Sequence, residues 1–234
     1  MANLDRRIIV TELLDVLPVD DPRAIASRRD LVWINALMFQ DRIMASLLRK
    51  HVSRPPRRIL EIGCGDGSFM LSVARRMGRT WSGVELTMVD QADLLTDSCR
   101  SSFESLGWTV TFVRADIFEW LQGAQRVRYD VVCANLFLHH FSDDMLAKLF
   151  AAIQNVTHVF VATEPRRSVL AMTGCALLRG IGVNDVTRHD AAASVRAGFT
   201  GADLGRLWPG QQAARLVERA IGPFTHAFVV ETAP

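Results

Sequence analysis

The chain has 234 residues, a formal charge of +2 and 49% hydrophobic residues. That is enough to bury a large core, as one α/β domain or two small ones. The near-neutral balance lacks the basic footprint of a nucleic-acid binder, and the dispersed Cys64, Cys99, Cys133 and Cys175, without a C-x-x-C pair, suit a reducing compartment better than disulfides or zinc.

Residues 1 to about 54 read as helices without a strand pattern, a helical extension or cap. Leu13, Leu14 and Leu17 form an apolar stripe that Pro18 ends, and Asp20-Asp21-Pro22 supply a helix start. Leu31, Ile34, Leu37, Met38, Ile43, Leu47 and Leu48 then recur at helical spacing from Ile25 to Leu48. Arg54-Pro55-Pro56 closes the region, and residues 55–234 are expected to form the main domain. From Arg57 onward strand and helix alternate, which predicts a mostly parallel sheet covered by helices. The expected strands are Ile59–Ile62, Val84–Val89, Thr109–Arg114, Tyr129–Ala134 and His158–Thr163. Helices are expected over Phe69–Met77, Leu94–Leu106, Phe118–Leu121 and Met145–Ile153. The end differs: Ala214–Ala220, the Gly222-Pro223 turn and His226–Glu231 read as an antiparallel hairpin. No N-terminal apolar leader pattern follows Met1 to Arg7. The most apolar stretch, Val169 to Val183, is interrupted by Arg179 and is too short to span a bilayer. A cytoplasmic location without a membrane span is expected.

The segment Ile59 to Phe69, ILEIGCGDGSF, carries most of the chemistry. An apolar strand ends in Glu61, and Gly63, Gly65 and Gly67 alternate before a helix opens at Ser68. Glycines there permit positive φ and let a ligand lie against main-chain N–H groups. The dinucleotide fingerprint wants its third glycine where this chain has Ser68. G-x-G-x-G after E-I instead resembles motif I of the class I S-adenosylmethionine-dependent methyltransferases. The resemblance covers Arg57 to about Ile153 well and the remainder loosely. It implies a Rossmann-like, mostly parallel seven-stranded sheet ending in an antiparallel hairpin, with S-adenosylmethionine as cofactor.

Carried onto this chain, the resemblance places Glu61, Gly63, Cys64, Gly65 and Gly67 around the methionine moiety, with Glu61 facing its ammonium. Glu61 could also bond loop amides, which would not exclude that role. An acid at the end of strand two would hold the ribose hydroxyls. Glu85 has the more usual spacing, but Asp90 closes the apolar run and is preferred, with Gln91 on the same wall. Asp116-Ile117 resembles the family's adenine-contacting step, although Asp116 also suits a helix N-cap. Asn135 ends strand four at the crevice. The following Leu138-His139-His140 resembles a stretch in many small-molecule methyltransferases, including ubiquinone/menaquinone-type enzymes. Either imidazole could remove an acceptor proton or merely orient the loop.

Asn135 lacks a following Pro-Pro-aromatic run and Cys133 a preceding proline, which argues against base methylation. Asn135 with Glu164 is too little for a metal site, and none is expected. Arg166-Arg167 and Thr187-Arg188-His189-Asp190 could touch an acceptor but read first as salt-bridged surface and caps. Arg28 and Asn35 stand on a helix that could cover the cofactor. The implied function is methylation of a small aromatic or polyketide-like acceptor, at oxygen in preference to carbon, without nucleic acid and with homodimerisation open. The rivals are a nicotinamide-dependent oxidoreductase and a cofactor-fold protein that binds without turnover.

Overall fold

A computed structural model describes residues 4–123 and 127–233. Seven strands form one sheet: β1 (Arg58–Ile62), β2 (Glu85–Asp90), β3 (Thr109–Arg114), β4 (Val131–Asn135), β5 (Val159–Pro165), β6 (Ala214–Ile221) and β7 (Thr225–Thr232). Their spatial order is β3-β2-β1-β4-β5-β7-β6. β1 to β5 pair in parallel, and β7 inserts antiparallel between β5 and β6. The expected fold class is the one observed.

The strand runs read as continuous apolar segments because both faces of the sheet are buried. Successive side chains alternate between two cores. Ile59, Val131, Cys133, Val161 and Val229 enter one core, whereas Leu60, Val132, Phe160, Phe228 and Val230 enter the other. The second core centres on Phe150, Phe160, Trp208 and Phe228, whose ring centroids lie 5.2–6.2 Å apart.

Nine α-helices cover and flank the sheet among the described residues: α1 (Leu13–Val16), α2 (Pro22–Leu37), α3 (Gln40–His51), α4 (Ser68–Met77), α5 (Asp97–Ser105), α6 (Ile117–Gly123), α7 (Asp143–Ile153), α8 (Val169–Leu177) and α9 (Asp185–Ala197). The helical periodicity from Ile25 to Leu48 belongs to two helices, not one. Phe39 adopts φ 55°, and α2 and α3 meet with a bend of 55°. The break lets α3 bury Met44, Ala45, Leu47 and Leu48 against α4 and the sheet, while α2 packs on α9. Gln40 at the bend is buried and donates to Thr225 Oγ1 at 3.1 Å. α5 begins at Asp97 instead of Leu94 because Thr96 Oγ1 caps it, accepting from Cys99 N. No single helix among the described residues is long and apolar enough to cross a membrane.

A close approach at Gly198 ties α9 to the sheet. A Cβ there would lie 2.3 Å from the Pro165 carbonyl oxygen, which already accepts from Phe199 N at 2.9 Å. Backbone cannot yield as a side chain does, so Gly198→Ala is expected to destabilise by about 2 kcal/mol, read as a lowered denaturant midpoint with unchanged slope.

Candidate functional site

The strand order reverses between β1 and β4, and a crevice opens at their carboxyl ends. A cavity of about 590 Å³ lies there. Its floor is the turn from β1 into α4, where Gly63, Gly65 and Gly67 take φ values of 68°, 56° and 77°. A side chain at Gly63 would strike the Phe137 ring at 2.1 Å, whereas at Gly65 the space beyond Cα is open. The loop is therefore packed from behind at Gly63 and bare toward the cavity at Gly65.

Glu61 lines this cavity at 2% exposure, and its Oε2 has no hydrogen-bond partner among the described residues. Burial, reinforced by Asp90 and Asp66, pushes its carboxyl well above the ordinary glutamate range. An orphaned buried carboxylate is costly and fits a site built for a cationic ligand group. The alternative, Glu61 bonded to loop amides, is not what the structure displays. Those amides are used elsewhere: Gly63 N donates to Val89 O, and Gly65 N donates to Asp90 Oδ2 at 2.8 Å.

Asp90 closes β2 and faces the cavity, its Oδ1 also accepting from Ala92 N at 3.0 Å. Glu85 opens the same strand at its opposite end, half-exposed and 3.0 Å from Arg58 Nε. Gln91 lines the cavity and donates to Asp116 Oδ2 at 3.0 Å, while Asp116 Oδ1 accepts from Phe118 N and Glu119 N at the start of α6. Asp116 thus performs the capping role and ties two strand ends together. Cys64, Ile117 and Asn135 line the cavity; Gly67 and Asp116 stand behind its wall. Asn135 Oδ1 accepts from Thr163 Oγ1 at 2.8 Å. Burial pushes the Cys64 and Cys133 thiols far up, so neither supplies a thiolate nucleophile.

Beyond the glycine loop the cavity reaches both histidines, on a 3-10 turn over Leu138–His140. The turn is hung on Glu164, wholly buried at the end of β5. Its carboxylate accepts from Phe137 N and Leu138 N at 2.9 Å, from His139 N at 3.3 Å, and contacts His139 Nδ1 at 2.8 Å. Leu136, just before, takes φ 51°, a conformation that a side chain resists and that this anchorage sustains. On its other ring nitrogen, Nε2, His139 meets Glu12 Oε1 at 3.4 Å. Burial alone would lower the His139 pKa, but the bonds and charges of Glu12 and Glu164 outweigh it and raise it to about 9. His140, more open, has Nδ1 3.4 Å from Asp15 Oδ2.

Glu12 and Asp15 come from the N-terminal segment and carried no signal in the sequence. They reach the site because Arg7 stacks on Phe199 at 4.2 Å, bonds Phe141 O at 2.9 Å and pairs with Asp143 at 2.6 Å. The Asp190 carboxylate then accepts from Leu13 N at 2.8 Å and Leu14 N at 2.9 Å. Leu14, Leu17, Arg28, Leu31 and Asn35 complete the wall. Arg167 is withdrawn from it, buried and paired with Asp203 at 2.7 Å, and Arg166 bonds Gly222 O. The Thr187 hydroxyl is spent on Ser27 and Asp30.

Residues 59–158 match the methyltransferase domain family. No curated protein matches the sequence. Among solved structures, an O-methyltransferase family protein from Burkholderia thailandensis superposes with TM-score 0.61 at 16% identity, over 92% of this chain and 61% of that one. The plantazolicin methyltransferase BpumL, in complex with SAH, gives TM-score 0.61 at 13% identity over 92% of each chain. The pyocyanin biosynthetic protein PhzM gives 0.59 at 17% identity, over 92% of this chain and 60% of that one. At these identities the likeness establishes the fold, and this chain spans about three fifths of the first and third of these proteins. Residues 59–158 thus match a methyltransferase domain, set in a chain that has the fold of these solved methyltransferases.

Proposed function

We propose that the chain methylates a small aromatic or polyketide-like acceptor, at oxygen in preference to carbon. The observation that supports this most is the pairing of two cavity-lining imidazoles with carboxylates at the end of the cavity remote from the glycine loop. An O–H acceptor must lose a proton as it is methylated, and imidazole is the side chain suited to that near neutral pH. α1 and α2 wall the cavity, so residues 12–35 serve as its cap and favour a small acceptor over a polymer, whereas α3 belongs to the core.

S-adenosylmethionine supplies a methyl group already activated by its sulfonium. In this reading Glu61 holds the ammonium, Gly63, Cys64 and Gly65 the methionine backbone, Asp90 and Gln91 the ribose, and Ile117 the adenine ring. Gly67 shapes the turn, Asp116 steadies Gln91, and Asn135 borders the methionine end. His139 and His140 face the acceptor, which the walls align and shield from water.

Calorimetry with S-adenosylhomocysteine and with NAD(H), followed by methyl transfer to a panel of phenols and enols, tests the reading. Preference for NAD(H), or methylation confined to RNA, would overturn it. Asp90→Ala is expected to weaken S-adenosylhomocysteine binding roughly tenfold or more, one charge-assisted hydrogen bond's worth, while Glu85→Ala binds normally. The reverse pattern would show that the ribose lies elsewhere.

A further inference from the structure

At the end of the cavity remote from the glycine loop, Glu12, His139 and His140 each bring one donor atom to a common point. These three atoms lie within 4.8 Å of one another, and all three residues line the cavity. The cluster is braced from behind. Nδ1 of His139 stands 2.8 Å from the buried Glu164 carboxylate, and Glu12 Oε1 accepts from the Ser194 hydroxyl on α9. The opposite ring nitrogen of His139, Nε2, is turned toward Glu12 Oε1 at 3.4 Å. That exceeds the roughly 2.7–3.2 Å of an N–H···O hydrogen bond, and no other described residue bonds this nitrogen. A side chain only 3% exposed therefore aims an unsatisfied nitrogen into a cavity.

We propose that Glu12, His139 and His140 bind a divalent transition-metal cation of the zinc type. Two imidazoles and one carboxylate are a donor set that zinc accepts as three protein ligands, leaving one position open. With bonds of about 2.1 Å, two ligands of a tetrahedral zinc sit roughly 3.4 Å apart, which is the His139–Glu12 separation. His140, 28% exposed, has room to turn its ring onto the same point. The bracing fits as well. A metal-ligating histidine almost always gives its other N–H to a carboxylate or carbonyl, which fixes the tautomer and aims the lone pair at the metal. Glu164 does this for His139. Two nitrogen donors disfavour magnesium and calcium, which take oxygen.

The charges at this corner favour a cation. Carboxylates of Glu12, Asp15 and Glu164 lie against the two imidazoles. Arg7, which bonds the backbone of the same turn, is itself paired with Asp143. A cation at the cluster would replace any proton on His139 Nε2, so binding releases protons and weakens in acid. The donor atoms are the same whichever acceptor atom is methylated, so the site does not depend on the O-methylation reading. Once filled, it takes both imidazole lone pairs, and the imidazole route for an acceptor's proton then belongs to the metal-free protein. One ligand arrives from the N-terminal segment, which is why no such site was legible in the sequence.

Calorimetry of Zn2+ binding to the full, chelator-stripped chain at neutral pH tests the site. One Zn2+ per chain is expected, with micromolar or tighter affinity that a large excess of Mg2+ does not relieve. Glu12→Gln and His140→Gln should each weaken it about tenfold or more, whereas His158→Gln, outside the cluster, should not. Zn2+ should raise the Tm of the wild type by linkage and leave that of His140→Gln unchanged. Unaltered unfolding midpoints of the metal-free variants show that they fold. X-ray absorption at the zinc edge should report two imidazoles with oxygen and no sulfur. Equal affinity in wild type, Glu12→Gln and His140→Gln, displacement by Mg2+, or sulfur ligation would overturn the proposal, as would the absence of binding. Zinc bound as expected in a chain that methylates no phenol or enol would count against the O-methylation reading alone.

Discussion

Glu61→Gln should make the ligand-free protein more stable and nearly abolish cofactor binding. Glu61 is buried with an oxygen that no described residue satisfies, and burial beside Asp90 and Asp66 raises its carboxyl well above the ordinary range. The unfolded chain ionises first as pH rises past about 4.3. Above that point the folded state is penalised for holding either a reluctant proton or an unpaired charge. Glutamine removes this penalty, so the Tm of the free protein should rise at neutral pH and the gain should vanish toward pH 4. An ammonium against Glu61 reverses the situation, because the carboxylate then has its counter-charge. Removing one partner of a buried pair costs about 3 to 5 kcal/mol, which is at least about a hundredfold in affinity. Binding should also release a proton in the wild type but not in the variant. Calorimetry in buffers of different ionisation enthalpy reads both effects; unimpaired binding by Glu61→Gln would remove the ammonium from this corner.

Glu164→Gln should be the most damaging conservative change in the chain. The carboxylate accepts three backbone N–H groups and the His139 ring, all in a site closed to water. An amide in its place turns a donor toward donors. A loss of about 3 kcal/mol or more follows from breaking a buried charged pair. The loss should depend on pH. His139 is raised to about 9 in the folded protein, so its contribution is fully present below about pH 6.5 and disappears as pH rises through about 9. Denaturant unfolding of the wild type should show a stability decline across that window, and in Glu164→Gln the decline should flatten. A parallel pair of curves would mean that Glu164 anchors the turn without holding the proton.

Much of the fold was legible because a parallel sheet buried on both faces writes itself as apolar runs closed by polar residues. Asp90 and Glu85 illustrate this: the place where the run ends, more than spacing from Gly67, marks the strand end that meets the crevice. The helix break at Phe39 was illegible, since the apolar periodicity of Ile25–Leu48 continues across it although the Phe39 backbone turns to φ 55°. Glu12 and Asp15 were invisible for the opposite reason. Two acids on a short amphipathic stretch look like any solvated face until the chain folds back. Of the motif residues, Asp116 and Gly67 stand behind the wall they were expected to line.

The way Arg7 is fastened also sets what the histidine end of the cavity depends on. Its bond to Asp143 spans 136 positions, and those of Leu13 and Leu14 to Asp190 span 177 and 176. The segment from Arg7 to Leu14 is therefore held by partners far along the chain. The glycine turn and its neighbouring strands need no such tie, but the seat of Glu12 and Asp15 depends on α9 being docked.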